Sequence, residues 1–320
     1  MMLPIGGYFE WEFPTKSATI LHADAIRLNS ARHALEYILQ NFPYIRSLWV
    51  PFFTCEAILE PLKRLKVEYK FYHINDLLEI RDSLVLREGE FLLYTNYYGI
   101  KDAYISQLVG IYKEKLIVDN AQALYCNPIA NHQFYSPRKF IGMPDGGLAI
   151  TTARHQPIDL PTSQSFERCS HLLKRVDLNP DEGYPDFQKN DASLSNENLA
   201  QMSILSSKIY DSVDFERIQK TRLSNFQLLY EKLAESNRLQ IPPTESFACP
   251  LVYPYWTNDD GLKKRLIDNK IYVATYWPNV FNWCNPNDLE YELANHIVCI
   301  PIDQRYGASE MNYILDEMIF

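Results

Sequence analysis

The chain has 320 residues, of which 47% are hydrophobic and 22% charged, with a formal net charge of −9 at pH 7. This length accommodates one large α/β domain plus a smaller one, and the apolar and charged fractions exclude disordered and fibrous classes. The negative surplus argues against a nucleic-acid partner, which needs a basic face, but leaves room for a small anionic ligand held by a local cluster of donors.

No apolar run reaches membrane-spanning length. The opening MMLPIGGYFEWEF places acids where a secretory leader needs a basic and then an apolar stretch, so a cytoplasmic location without a membrane partner is expected. Six cysteines (Cys55, Cys126, Cys169, Cys249, Cys284 and Cys299) are scattered without a CxxC pair. They read as reduced thiols in packed positions, and no metal is expected. The 22 tyrosines are unusual and suggest a site or interface lined by rings with polar tips.

In chain order, the first clear element is a helix after Asn29 and Ser30, either of which can cap it. Ala31, Ala34, Leu35, Ile38, Leu39 and Phe42 fall on one continuous apolar stripe. LWVPF (48–52), VEYKFYHI (67–74), EFLLYTNYY (90–98) and KLIVD (115–119) are short runs rich in β-branched and aromatic residues, with helical spacing between some of them. That alternation marks a mostly parallel sheet flanked by helices. A helix after Thr54 is expected to kink or end early at Pro61.

From about 154 to 198 the periodicity fades, which predicts a long irregular stretch that is a lid, an interface arm or partly disordered. Helical patterns return from Leu199 to about Glu235. The tail reads β/α/β, through FACPLVYPY, DDGLKKRLIDN, KIYVATYWP and HIVCIPI, with a last helix from Ser309. The expected division is a large domain over residues 1–213 and a smaller C-terminal α/β domain over 214–320.

Three places can carry chemistry. Ser30, Ala31 and Arg32 open a helix whose first N–H groups and partial positive charge suit a phosphate, although a capped helix with a solvated arginine reads the same way. Asp119 closes KLIVD at the carboxyl end of a strand, where it is either a turn aspartate or a partner for a protonated ring nitrogen. Lys139, in FYSPRKFIGMPDGG (134–147), is a solvated loop lysine or an amine nucleophile, and Arg138 beside it would favour the neutral form. Their order suits pyridoxal 5′-phosphate (PLP), which needs a phosphate cradle, an acid for the pyridine nitrogen and a lysine for the aldehyde.

LNSARHAL, LIVDNAQALY and FYSPRKFIGMPDGG resemble the three cofactor motifs of the DegT/DnrJ/EryC1/StrS aminotransferases, PLP-dependent transferases of fold type I. The resemblance extends through the helical region from LAQMSILSSKIY to LLYEKL and through CIPIDQRYG. It implies that Lys139 bonds the cofactor aldehyde, Asp119 pairs with the pyridine nitrogen, Gln122 lies near the ring, and Ser30, Ala31 and Arg32 hold the phosphate. Arg32 stands where the family usually has threonine. The ring-stacking aromatic aligns with Cys55, leaving Phe53 as a nearby alternative. The phosphate-binding serine aligns with Phe134, for which Ser136 can substitute. Asn96 and Tyr98 in YTNYYG match a segment beside the site, and Tyr276 in TYWP lies in a loop that reaches toward substrate.

The activity implied is transamination of a nucleotide-linked keto sugar in surface-polysaccharide or related biosynthesis, with an amino-acid donor, in a homodimer. Retention of lysine at 139 argues against the dehydratase branch, which carries histidine there. Two other readings stand beside it: a PLP enzyme of different reaction or non-sugar substrate, and a non-catalytic scaffold of this fold.

Overall fold

Ser30 begins the architecture. In the computed structural model, which describes residues 8–14, 19–42, 44–152 and 159–318, a short strand β1 (Ile26–Leu28) turns into α1 (Ala31–Gln40). The cap is Ser30, whose Oγ accepts the His33 N–H at 3.3 Å, while Asn29 donates to the Asn198 carbonyl at 3.0 Å. Then follow β2 (Ser47–Pro51), α2 (Leu59–Leu65), β3 (Glu68–Tyr72), β4 (Glu90–Thr95), α3 (Asp102–Tyr112), β5 (Leu116–Asn120), β6 (His132–Tyr135) and β7 (Gly147–Thr151). Pro61 does not break α2. It is the third residue of that helix, in the first turn, where a missing N–H costs little.

These strands form one seven-stranded sheet in the order β1-β7-β6-β5-β4-β2-β3. β2 to β6 pair in parallel, and β7 joins β6 and β1 antiparallel. The α1 stripe packs Ala34, Leu35, Ile38, Leu39 and Phe42 against Val50, Leu93, Ile117 and Phe134 of the sheet. Gly147 is fixed by the same packing: a Cβ there would lie 2.2 Å from the Ser30 carbonyl carbon and 2.5 Å from the Ala31 nitrogen. Only glycine lets β7 start against the α1 cap.

The stretch expected to be irregular instead contains two helices, α4 (Ser170–Asp177) and α5 (Pro180–Ser193). Asn179 caps α5 by accepting from Asp181 N–H at 3.1 Å, and Pro180 presets its first turn. Gly183, Pro185 and the polar residues on either side of them erase the apolar period that would have announced this helix in the sequence. Residues 153–158 of that stretch, like the first seven residues of the chain, lie outside the described residues.

The rest comprises α6 (Ile204–Asp211), α7 (Phe215–Leu233), β8 (Val252–Trp256), α8 (Leu262–Asp268), α9 (Val280–Trp283), α10 (Leu289–His296), β9 (Ile297–Pro301) and α11 (Ala308–Met318). β8 and β9 form a separate antiparallel pair. KIYVATYWP forms no strand: it makes a single bridge, Ala274 to Cys299, and Lys270 and Trp277 at φ 63° and 56° interrupt its extension. One apolar core runs from Tyr98, Tyr125 and Phe140 to Phe226, Tyr253 and Ile300. All six cysteines are free, and no helix among the described residues is long and apolar enough to cross a membrane.

Candidate active site

The loops after β2, β4, β5 and β6 leave the sheet at the carboxyl ends of its parallel strands. The pairings Leu28 with Gly147 and Leu148 with Tyr135 bring the β1–α1 turn to the same edge. Ligands of open α/β sheets bind there. Ser30, Phe53, Asn96, Asp119, Gln122, Ser136 and Lys139 therefore converge from five connections that are far apart in sequence.

Asp119 is 5% exposed. Its Oδ1 accepts the Ala121 N–H at 2.8 Å. Burial pushes its carboxyl up, and the Lys139 charge and the Ala121 N–H pull it partly back. Gln122, 1% exposed, accepts the Tyr98 N–H on Oε1 at 2.8 Å, while its Nε2 is buried without a partner among the described residues. A buried donor left unpaired costs about 1–3 kcal/mol, so this amide marks a place where an acceptor fits.

Lys139 ends a single 3-10 turn, Pro137–Lys139, and its N–H donates to the Ser136 carbonyl at 3.2 Å. Its side chain is exposed and makes no ion pair or hydrogen bond among the described residues; Nζ lies 5.9 Å from the centre of the Tyr276 ring. Arg138 turns away from it, toward Asp191, at 3.4 Å.

The remaining residues divide. Ser136 is buried and its hydroxyl has no partner among the described residues. Ser30 Oγ is shared with His33 Nδ1 at 2.8 Å, and the Arg32 guanidinium is held by Glu60 and by Ser195 Oγ, leaving the N–H groups of Ala31 and Arg32 as the open donors of the first turn of α1. Asn96 spends its side chain internally, donating to Asp102 at 2.7 Å and Asn120 at 3.0 Å and accepting the Lys101 N–H at 3.1 Å. Cys55 is half-buried at the start of a 3-10 turn.

Tyr98 adopts φ 56°, strained for a bulky residue, and is pinned by Gln122 on one side and by the Leu251 N–H, at 2.8 Å from its carbonyl, on the other. Gly99 permits that approach, with φ 74° and a Cβ position only 2.9 Å from the Cys249 carbonyl oxygen.

Two rings were not singled out from the sequence. Tyr97 stacks on Phe53 at 5.6 Å and is held well above the ordinary phenol range by burial, with the charges of Glu290 and Asp119 adding to it. Trp277 closes edge-on to Phe53 at 4.6 Å, and the neighbouring Asn279 donates to the Thr54 carbonyl at 2.9 Å. Both rings lie within the motifs YTNYYG and TYWP. Only the fold selects which ring of each motif packs on Phe53.

No family model and no curated protein matches this chain. Solved structures do. A DegT DnrJ EryC1 StrS aminotransferase from Brucella abortus superimposes with a TM-score of 0.63 at 15% identity, covering 92% of this chain and 84% of that one. NtdA from Bacillus subtilis, solved with bound cofactor PMP, gives 0.64 at 14% identity over 92% and 72%. PseC from Helicobacter pylori, an aminotransferase involved in the biosynthesis of pseudoaminic acid, gives 0.62 at 13% identity over 92% and 85%. The chain therefore has the fold of the DegT/DnrJ/EryC1/StrS aminotransferases, the α/β architecture of fold type I.

Proposed function

We propose that this protein is a PLP-dependent aminotransferase acting on a sugar. The acceptor is a nucleotide-linked keto sugar of surface-polysaccharide or related biosynthesis, the donor an amino acid, and the working form a cytoplasmic homodimer. The observation that carries this reading is the convergence, at one sheet edge, of a buried acid, an orphaned amide donor and an unpaired lysine amine. The fold shared with NtdA and PseC supports it.

The residues present fit the cofactor. Asp119 has a single hydrogen-bond donor on its carboxylate and pairs well with a protonated pyridine nitrogen. Gln122 Nε2 offers an N–H to a ring oxygen. Ser136 Oγ and the open N–H groups of Ala31 and Arg32 suit the phosphate. When bound, PLP supplies an electron sink for the pair left at the donor's α-carbon. Lys139 would hold the cofactor through its aldehyde, and its amine would move the proton at the donor's α-carbon as base and then as acid. Asp119 holds the proton on the pyridine nitrogen throughout.

One observation favours a second reading. Phe53, Tyr97 and Trp277 pack on one another, with Phe53 1% exposed, and a cluster of rings closed on itself suits a scaffold retained for binding. One experiment separates the two: mix the purified chain with PLP, reduce with borohydride, map the adduct, then offer glutamate. The transaminase reading expects a yellow protein, an adduct at Lys139 that Lys139→Ala abolishes, and release of 2-oxoglutarate. A colourless protein without an adduct overturns it, and an adduct with no half-reaction on any amino acid overturns transamination.

A further inference from the structure

Arg222, on α7, is 2% exposed and pairs with no carboxylate among the described residues. Removing a guanidinium from water costs several kcal/mol, so its donors must be used well. Nε donates to Gln304 Oε1 at 3.1 Å, Nη1 donates to the Leu251 carbonyl at 3.0 Å, and the guanidinium carbon lies 4.7 Å from the centre of the Phe140 ring. Gln304, in the turn between β9 and α11, passes the contact on: its Nε2 donates to the Phe140 carbonyl at 2.8 Å. Phe140 is the residue after Lys139, and it is thus gripped by both its ring and its carbonyl.

The other end of this run reaches the ring-binding side of the site. The Leu251 N–H donates to the Tyr98 carbonyl, and the Tyr98 N–H to Gln122 Oε1. The lysine's turn and the amide beside Asp119 are therefore joined through Gln304, Arg222, Leu251 and Tyr98. None of these links touches Lys139 Nζ. A lysine stem has about 2 kcal/mol of rotamer freedom, so the height of its amine depends on where the backbone turn is held.

We propose that Gln304 and Arg222 are positioning residues for Lys139, holding its turn at a fixed height against Asp119 and Gln122 through the carbonyl and ring of Phe140. The proposal rests on the reading of Lys139 as the residue that bonds the aldehyde. A purely structural role would be felt in global stability, whereas a positioning role is felt in the turn and in the speed with which the amine captures its aldehyde.

Gln304→Glu separates them. It keeps an acceptor for Arg222, now charged, and removes the only donor to the Phe140 carbonyl among the described residues. Without cofactor, amide hydrogen exchange of the Lys139, Phe140 and Ile141 N–H groups, which close the turn onto Ser136 and Pro137, is expected to rise about tenfold while the melting temperature holds. The rate at which Lys139 forms the borohydride-trapped adduct with added PLP is expected to fall about tenfold. Gln304→Met, which loses both bonds, should show the same two effects. Exchange within twofold of wild type in Gln304→Glu, or faster exchange with an unchanged capture rate, overturns the positioning role while the Lys139 assignment stands. A wild-type chain that forms no adduct overturns the Lys139 assignment itself.

Discussion

Arg138 and Lys139 are neighbours in sequence with opposite environments, and burial separates them. The Arg138 side chain is 14% exposed, Asp191 is its ion-pair partner, and desolvation holds its guanidinium below the ordinary arginine range. Lys139 keeps its amine in the open. The sign of the Asp119 effect follows from its environment too. A carboxyl raised by burial binds its proton more readily in the folded chain, so its contribution is most favourable below the ordinary carboxylate range and is lost as pH rises through the raised value. Asp119→Asn keeps the acceptor for Ala121 and removes that penalty. Thermal melts without cofactor should therefore show the variant more stable than wild type at pH 7 to 8, with the gap closing toward pH 3. A gap that widens on acidification would show that Asp119 is not held up by burial.

Among the elements, α1 and β7 set the floor of the site, because their contact leaves no room for a side chain at Gly147. Gly147→Ala places a carbon 2.2 Å from the Ser30 backbone. We expect a loss of about 3 kcal/mol or more in denaturant unfolding, together with weaker PLP binding as the α1 cap is displaced. A variant within 0.5 kcal/mol of wild type would mean that the two elements can separate cheaply. The same scale explains the misread 154–198 stretch. α5 is set by its Asn179 cap and by Pro180 rather than by an apolar stripe, and α4 is only eight residues long, whereas sustained periodicity is the signal that sequence reading detects best.

For the whole molecule, α4 and the 3-10 turn before it (Phe166–Arg168) leave large apolar side chains in solvent, including Val176 at 83% and Phe166 at 69%. Exposed apolar side chains of this size suit a contact between copies of the chain. Light scattering should give twice the 37.4 kDa chain mass, and Phe166→Glu combined with Val176→Glu should return the monomer with its fold retained by circular dichroism. A wild-type monomer at full PLP occupancy would remove the dimer from the proposal.

The sequence by itself determined the sheet strands from β2 to β5, the α1 stripe, and the order of a capped helix start, a strand-end acid and a loop lysine. These are local patterns: a period of two or 3.6, a cap, a residue at the end of an apolar run. It did not show that β7 runs antiparallel, that KIYVATYWP stays irregular, that Arg32 is taken by Glu60, or that Tyr97 and Trp277 pack on Phe53. Those depend on register and on contacts between residues as far apart as Phe53 and Trp277 or Gln304 and Phe140. Only the folded chain chooses such pairings, because their free energy comes from partners that no local pattern encodes.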